Sequence, residues 1–302
     1  MPTDDGHTAG LDLWLDPAIH PSIHHPSTTT PPCREANAIY EKMKRAFLSV
    51  AAISLSRKCE LSDSFIIIAP RSTNALHVQS TNSDASLVDA FDFSSKTGWD
   101  QFYERRSIPA DDHDQLAFEP YEWHSSLDHD TVLQHAGRGG SILFVGCGTS
   151  TMPLELYDLH EGKSHIMCLD YSPSCIEQLA QSWGPTRENM SFLVGDATRL
   201  ENMPDIAVID EGIDAIIDKG LIDALMCGEG WNGDVERLLA SAAKQLRPNG
   251  LYVLVSYKLS SATKDFLLDV GKKYGLEWTF DLEDEDNNRV SLSKAVMVHT
   301  SS

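Results

Sequence analysis

The sequence has few cations for its length. Lys and Arg number 24 against 45 Asp and Glu, which gives a formal net charge of −21 over 302 residues. Nucleic-acid binding needs Lys and Arg clustered against phosphates, so this balance predicts no nucleic-acid partner. An acidic surface accommodates a basic protein partner, although a solvated coat explains it more simply.

Paired cysteines and long apolar runs are also missing. The six cysteines (Cys33, Cys59, Cys147, Cys168, Cys175 and Cys227) include no CxxC pair. This predicts reduced thiols in an intracellular protein and no bound metal. No apolar run approaches the roughly 20 residues that span a bilayer, so no membrane association is expected. A hydrophobic content of 41% is nonetheless enough for a sizeable core.

Residues 1–96 lack a core pattern and are predicted to be a largely disordered extension. "HPSIHHPSTTTPP" (20–32) is low in complexity, and His20, His24 and His25 in so loose a segment are poor metal ligands. "MKRAFLSVAAISLSRKC", which begins at Met43, resembles a transit segment, or else forms a surface amphipathic helix. The expected location is therefore cytoplasmic, or mitochondrial if translation starts at Met43. The apolar run at 64–70 has no assigned role.

Residues 97–302 show a regular alternation of buried strands and helices, and are predicted to form one domain. Ser172 is the expected N-cap of one helix, with Pro173 in its first turn. Such alternation indicates a doubly wound, mostly parallel α/β sheet. The two last strands, joined by an acidic loop, predict an antiparallel C-terminal hairpin at the sheet edge. The predicted strands lie in "SILFVGC", "HIMCLD", "SFLVGD", "IDAIIDKG", "LYVLVSY", "LEWTFDL" and "KAVMVHT".

Three strand ends carry residues suited to a nucleoside. In "FVGCGTS", Gly146 and Gly148 let a ligand approach the backbone where a helix begins, although the third glycine of a GxGxxG motif is missing. Asp170 ends the next strand and can bind both ribose hydroxyls. Asp196 and Ala197 follow the third strand and can read an adenine edge. Because the ligands of open parallel sheets bind at this edge, a nucleoside cofactor is predicted.

The combination of motifs resembles one enzyme family. From about Trp99 to His299 the chain is similar to the seven-β-strand (Rossmann-like) protein-lysine methyltransferases that modify elongation factor 1-alpha or mitochondrial citrate synthase. The resemblance covers about two-thirds of the chain and implies S-adenosyl-L-methionine as cofactor and a protein substrate that presents a lysine. An NAD enzyme fits less well, since the third glycine and a substrate domain are both missing. The matching pieces are "WDQFY", "PYEWH", "VGCGTS", "LDYSP", "GDAT", "DKGLIDAL" and "LRPNG".

The resemblance also implies roles for individual residues. By the resemblance, Gly146 and Gly148 approach the methionine part of the cofactor, Asp170 and Tyr171 hold the ribose, and Asp196 and Ala197 flank the adenine. Lys219 lines the cofactor site. Trp99, Tyr103 and Tyr121 close over the cofactor. A catalytic role falls to Asp218, which would orient the amine or take its proton, and to its neighbour Lys219. Several of these residues have a plainer alternative: a helix N-cap or loop acid for Asp170, a simple turn for Asp196, a partner of Lys219 for Asp218, and a packing staple for Trp99 and Tyr103. Trp123 lies at the rim of the acceptor channel or in the core.

The sequence departs from common methyltransferase patterns at two positions. Phe144 occupies a site that is often acidic, and Ser150 stands where a third glycine is common; both changes suit the lysine-methylating subgroup. "DKGL" replaces the NPPY-type motif of amide and base methylation, which again disfavours nucleic acid. A small-molecule methyltransferase and an inactive methyltransferase-like binding protein remain alternatives. The oligomeric state does not follow from the sequence.

Overall fold

The computed structural model describes Met43 and residues 92–106, 118–137, 140–207, 209, 211–283 and 290–298. The predictions for His20, His24 and His25, for the segment that follows Met43 and for residues 64–70 lie outside these residues. Most of the predicted extension 1–96 does so too, and the boundary at residue 97 stays a prediction.

A seven-stranded sheet organises the described residues, and its strand order is β3-β2-β1-β4-β5-β7-β6. The first five strands are parallel, while β7 runs antiparallel between β5 and β6. The predicted doubly wound sheet with an antiparallel C-terminal hairpin is thus confirmed. The strands are β1 (Ser141–Val145), β2 (His165–Asp170), β3 (Met190–Val194), β4 (Ile213–Lys219), β5 (Leu246–Tyr257), β6 (Leu276–Glu283) and β7 (Val290–Met297).

Helices cover the sheet between these strands, as parallel strands require. Strands β1, β2 and β4 are buried along most of their length, because both of their faces are packed. Each buried Ile or Leu there stabilises the fold by roughly 1.5–3 kcal/mol. The helices are α1 (Lys96–Glu104), α2 (His129–His135), α3 (Met152–Leu159), α4 (Pro173–Trp183), α5 (Pro204–Ala207), α6 (Leu221–Met226), α7 (Trp231–Gln245) and α8 (Ser261–Tyr274).

The start of α4 follows the sequence signals closely. The Ser172 hydroxyl accepts a hydrogen bond from the Cys175 amide at 3.3 Å, and Pro173 is the first helical residue. Both features satisfy the unpaired N–H groups of a helix start, so the N-cap prediction is confirmed. Since β2 ends at Asp170, this short connection fixes Asp170 at the carboxyl edge of the sheet.

The chain reverses its direction of travel across the sheet between β1 and β4. Strands β1 to β3 extend to one side of β1, and β4 and β5 extend to the other. The crevice at such a switch point, above the carboxyl ends of the strands, is where open α/β sheets bind ligands. Among the described residues, no helix is both long and apolar enough to cross a membrane.

Candidate active site

A cavity of about 240 Å³ opens above the carboxyl ends of the strands. All ten residues predicted to hold the cofactor line this one cavity: Trp99, Tyr103, Tyr121, Gly146, Gly148, Asp170, Tyr171, Asp196, Ala197 and Lys219. They come from three parts of the chain, namely the region around α1, the ends of β1 to β3, and the end of β4. The fold therefore brings together residues that the sequence separates by up to about 120 positions.

The turn after β1 depends on its two glycines. Gly146 has φ +60° and Gly148 has φ +52°, a left-handed backbone that other L-residues rarely adopt. A Cβ atom at Gly148 would lie 2.8 Å from the Tyr103 hydroxyl, and one at Gly146 would lie 3.1 Å from the side chain of Leu221. The backbone thus approaches the cavity more closely than any side chain would allow.

Asp170 occupies the centre of the cavity floor. It is 5% exposed, and its two carboxylate oxygens accept hydrogen bonds from the amides of Gly148 at 3.1 Å and Ser172 at 3.0 Å. Burial outweighs these bonds and raises the pKa of Asp170 to about 7. A carboxylate held rigidly beside a cavity offers its remaining lone pairs to a diol.

Asp196 and Ala197 lie at the far end of the cavity, beyond β3. Asp196 stands two residues past the end of the strand, and its carboxylate accepts bonds from the amide of Thr198 at 2.9 Å and from its hydroxyl at 2.7 Å. The predicted turn role is therefore present together with the cavity position. The side chain of Asp196 remains half exposed, whereas Ala197 is buried.

The aromatic residues of α1 and the following segment form a connected cluster above the cavity. The Trp99 ring stacks on Tyr103 at 6.0 Å between centroids and meets Trp123 edge-on at 5.6 Å. Tyr121 meets Trp123 edge-on at 4.9 Å. Trp99 and Tyr103 are 6% and 5% exposed and also line the cavity. They therefore pack in the core and cover the cavity at once.

Lys219 is held by a polar network that the sequence did not predict. Glu122 forms an ion pair with Lys219, accepts bonds from the hydroxyl of Ser150 at 2.8 Å and the amide of Thr151 at 2.6 Å, and lies 3.3 Å from His129. Although burial opposes ionisation, the bonds from His129 and Lys219 hold the pKa of Glu122 at about 2. The only sequence signal for Glu122 was its place in the motif "PYEWH".

Asp218 lies behind the cavity wall and not in it. It is fully buried and accepts hydrogen bonds from the Tyr252 hydroxyl at 2.8 Å and the Leu221 amide at 2.8 Å. Burial raises its pKa to about 7. Its hydrogen bonds connect β4 to the start of α6. Lys219 does not pair with Asp218, because it forms its ion pair with Glu122. Neither predicted role, the handling of an amine or the support of Lys219, corresponds to a contact of Asp218 in the described residues, and both stay predictions.

A second buried pair, His124 and Asp223, does line the cavity. Nε2 of His124 lies 2.8 Å from Oδ2 of Asp223, and each side chain is 1% exposed. His124 has a left-handed backbone, φ +57°, and its ring meets that of Tyr257 edge-on at 4.7 Å. Both residues lie within motifs that matched, "PYEWH" and "DKGLIDAL". Composition alone gave no sign that residues 99 positions apart would meet.

Three thiols surround the turn at Asp170. Cys147, Cys168 and Cys175 are buried and reduced, as predicted for the described cysteines. The sulfur atoms of Cys147 and Cys175 and a carboxylate oxygen of Asp170 lie within 4.8 Å of one another. Such a set has the donor types of a soft-metal site, so the predicted absence of a metal stays a prediction.

Three residues from the predicted extension, Met43, Phe93 and Ser94, also contribute to the cavity wall. Met43 and Phe93 are buried and line it, and the sulfur of Cys227 lies 3.4 Å from that of Met43. Phe93 also accepts a bond of 2.6 Å through its carbonyl oxygen from the Trp99 indole. Nothing in the sequence indicates this role, because no periodic pattern surrounds Phe93 and Ser94, and Met43 stands out only as the first residue of a transit-like segment.

Comparison with known proteins gives a consistent picture. A family model described as a methyltransferase domain matches residues 137–287. The eEF1A lysine and N-terminal methyltransferase of Mus musculus is 30% identical over 169 residues, which cover 55% of this chain and 22% of that protein. The Drosophila melanogaster homologue is 28% identical over 185 residues, 61% of this chain and 25% of that protein.

A shorter relative is similar over most of its own length. The mitochondrial citrate synthase-lysine N-methyltransferase of Danio rerio is 25% identical over 178 residues, which cover 53% of this chain and 66% of that protein. The alignment with the mouse protein, by contrast, spans about a fifth of that protein's length.

Proposed function

This chain belongs to the methyltransferase domain family, whose methyl donor is S-adenosyl-L-methionine, and on that premise we propose that it methylates a lysine side chain of a protein substrate. The relatives named for eEF1A and citrate synthase lysine methylation support this acceptor. We also propose residues 97–302 as the catalytic domain.

The observation that carries the proposal is the order of functional groups along the cavity. Adjacent strand ends present Asp196 after β3, Asp170 at β2, Gly146 after β1 and Lys219 at β4. An extended nucleoside with an amino-acid tail fits this row, with adenine near Asp196, ribose at Asp170 and the tail over the glycine turn. The reactive methyl group then lies toward β4, next to the acceptor side.

The residues present fit this cofactor. The glycine turn leaves no room for a Cβ atom at Gly148, so the ligand meets bare backbone there. Asp170 is fixed by two amides and faces a cavity, as a residue that binds a ribose diol must be. The rings of Trp99, Tyr103 and Tyr121 supply the apolar cover that excludes water.

When bound, S-adenosylmethionine supplies a methyl group on a good sulfonium leaving group, so the protein's main contribution is positioning. The amine must be neutral, however. A free lysine with a pKa of about 10.4 is neutral in only about one molecule in a thousand near pH 7.4, a deficit of roughly 4 kcal/mol. Burial between Trp123, Tyr257 and the aromatic cover disfavours the ammonium form and reduces this deficit.

The net charge suits a cationic acceptor. Asp223 and Asp234 line the cavity on the side of β4 and β5, where the acceptor enters in this arrangement. With a chain charge of −21, a basic segment of a protein partner is attracted toward this edge. A nucleic-acid substrate would be repelled by the same charge.

Labelled cofactor tests the proposal. The full chain is incubated with tritiated S-adenosylmethionine and a protein extract, and the proteins are hydrolysed for amino-acid analysis. We expect label in methylated lysine, and none with Asp170→Ala. Label confined to small molecules in the filtrate would replace the proposal with a small-molecule methyltransferase. Failure to bind S-adenosylmethionine in calorimetry would indicate an inactive binding protein.

A further inference from the structure

The acceptor end of the cavity contains one acid–base pair that the cofactor row does not use. Past Lys219 at the end of β4, the lining continues with Gly220 and with Asp223 on α6, and then with Tyr257 at the end of β5. His124 packs against these residues from the segment after α1. This placement puts His124 beyond the row of nucleoside-binding strand ends.

The contact with Asp223 selects one tautomer of the neutral His124 ring. Its Nε2 lies 2.8 Å from a carboxylate oxygen of Asp223, an acceptor, so in the neutral ring the hydrogen is on Nε2. Asp223 is fixed in turn, since it also accepts from the Tyr257 amide at 3.2 Å. Nδ1 then carries a lone pair. Within the part of the chain that the structure describes, this buried atom has no hydrogen-bond partner.

An orphaned acceptor in such a position indicates a missing donor. Buried polar atoms are nearly always paired, and exceptions occur at functional sites. His124 also has a left-handed backbone, φ +57°, which non-glycine residues seldom adopt without a functional reason. Gly220 accommodates the ring, because a Cβ atom there would lie 3.3 Å from Nε2.

We propose that His124 is a catalytic residue whose Nδ1 takes a proton from the acceptor ammonium group, and that Asp223 is its positioning residue. This assignment rests on the proposed lysine methylation. The ammonium gives one proton to Nδ1, and the Asp223 carboxylate stabilises the imidazolium. The amine lone pair then forms the N–C bond as the C–S bond breaks, and that electron pair stays on sulfur. The methylated product carries the positive charge, and His124 releases its proton to solvent.

Other ionisable groups face this end of the cavity. They are Asp223 on α6, Lys219 on β4, Asp234 on α7 and Tyr257 on β5. Lys219 pairs with Glu122, and burial lowers its pKa. Asp218, in contrast, is enclosed behind the wall by Tyr252 and α6. Among the described residues that line the cavity, His124 is thus a base whose Nδ1 has no hydrogen-bond partner.

Kinetics of His124→Gln test the assignment, with His165→Gln as the matched control. His165 lies at the opposite end of β2 and bonds to Ser191 at 2.8 Å. We expect His124→Gln to slow lysine methylation in the labelled extract by about 10²–10⁴-fold, the usual contribution of acid–base catalysis. Its residual rate should rise about tenfold per pH unit, as solution supplies the neutral amine. The affinity for S-adenosylhomocysteine should stay within threefold.

Nuclear magnetic resonance of ¹⁵N-labelled histidine provides a readout without turnover. In the free protein, we expect His124 with hydrogen on Nε2 and none on Nδ1. Adding n-butylamine with S-adenosylhomocysteine should shift the Nδ1 resonance, and n-butanol should not. Asp223→Asn should mix the two tautomers and, like His124→Gln, make the methylation rate rise more steeply with pH; this variant serves if His124→Gln does not fold.

Two results separate this assignment from the proposed function. A wild-type protein that methylates lysine while His124→Gln keeps its rate and pH profile overturns the role of His124 alone. The role of His124 is also overturned if Nδ1 carries a hydrogen in the free protein, or if its resonance does not shift when n-butylamine is added. A wild-type protein that labels no lysine overturns the proposed function and with it this assignment.

Discussion

The Asp100 carboxylate accepts a hydrogen bond of 2.5 Å from the hydroxyl of Ser172, the residue that caps α4. The same oxygen accepts from the Ser174 amide at 3.2 Å. The bond from Ser172 lowers the pKa of Asp100 below its ordinary value. One side chain of α1 thus supplements the cap of the helix that follows Asp170, and ties the aromatic cover to the floor of the cavity.

Removing the two hydrogen bonds of Asp100 should make α1 and its aromatic residues more mobile. Asp100→Ala eliminates both bonds, so we expect α1 to exchange its amide hydrogens faster, because among the described hydrogen bonds between α1 and α4 only the one from Gln178 to the Tyr103 carbonyl then remains. The dissociation constant for S-adenosylhomocysteine should rise about threefold to tenfold, which corresponds to 0.6–1.4 kcal/mol for net hydrogen bonds of this kind. Hydrogen exchange over residues 96–104 with and without ligand measures both effects. Glu104→Ala on the same helix is the control, and equal exchange in the two variants would refute the tie.

The raised pKa of Asp170 predicts that cofactor affinity depends on pH. Ribose hydroxyls donate to the ionised carboxylate, and burial holds the pKa of Asp170 at about 7 in the free protein. Ligand binding therefore releases a proton below pH 7. Going from pH 8 to pH 6, we expect the affinity to fall about tenfold, since one pKa unit is worth 1.36 kcal/mol. Calorimetry with 5′-methylthioadenosine measures this, because that ligand lacks a titrating amino-acid tail.

The pH dependence of folding stability has the opposite sign to the pH dependence of cofactor affinity. In the unfolded chain Asp170 has an ordinary pKa of about 3.9, so between pH 4 and 7 the folded state holds more protons. Its contribution to the free energy of unfolding is fully present below pH 4 and is lost as the pH rises through about 7. Asp170→Asn should remove the pH dependence of the affinity and the Asp170 share of the pH dependence of stability, while the share of Asp218, whose pKa is also about 7, remains. A mutant that keeps the tenfold change in affinity would assign it to another group.

Gly148 should tolerate no side chain while Tyr103 is present. Gly148→Ala places a Cβ atom 2.8 Å from the Tyr103 hydroxyl at a left-handed backbone position. We expect a loss of stability of about 1–3 kcal/mol, combining backbone strain and crowding. Tyr103→Phe removes the oxygen, and the next ring atom lies 3.7 Å away. In the double mutant the crowding part should disappear while the backbone strain remains, and thermal denaturation of the four proteins measures this coupling.

Asp218 should behave as a structural residue. Asp218→Asn keeps an oxygen for the Leu221 amide and a polar partner for Tyr252, so methylation should stay within about threefold of wild type. Asp218→Ala leaves those donors unpaired and should cost about 1–3 kcal/mol of stability. Denaturant unfolding and initial rates give the two numbers. A folded Asp218→Asn protein without activity, but with normal cofactor affinity, would restore the catalytic role.

The residues at the strand ends could be predicted to lie close together, because the carboxyl ends of parallel strands share one edge of the sheet. Once β1, β2 and β3 are identified by apolar runs, Gly146, Asp170 and Asp196 must share one edge. The Ser172 cap needed only three neighbouring residues. These features are local, or follow from a single topological rule.

The remaining parts of the site depend on contacts that local patterns do not contain. Glu122 and Lys219 are 97 positions apart, and His124 and Asp223 are 99 apart. Their pairing depends on where the segment after α1 crosses the sheet, which no periodicity records. The side of β4 on which Asp218 lies was equally hidden from the sequence. A strand-end acid points toward the cavity or away from it according to its alternation, and in β4 Lys219 takes the cavity side.

The cover of the cavity precedes the sheet in the chain, and this order has a consequence during synthesis. Trp99 and Tyr103 leave the ribosome before β1, while α4, the helix against which α1 packs, is made only at residues 173–183. At 5–20 residues per second, the interval between Trp99 and Trp183 lasts roughly 4–17 s. During that time the apolar face of α1 has no α4 to pack against, so this segment of the nascent chain is exposed to water and to chaperones before half of the strands are made.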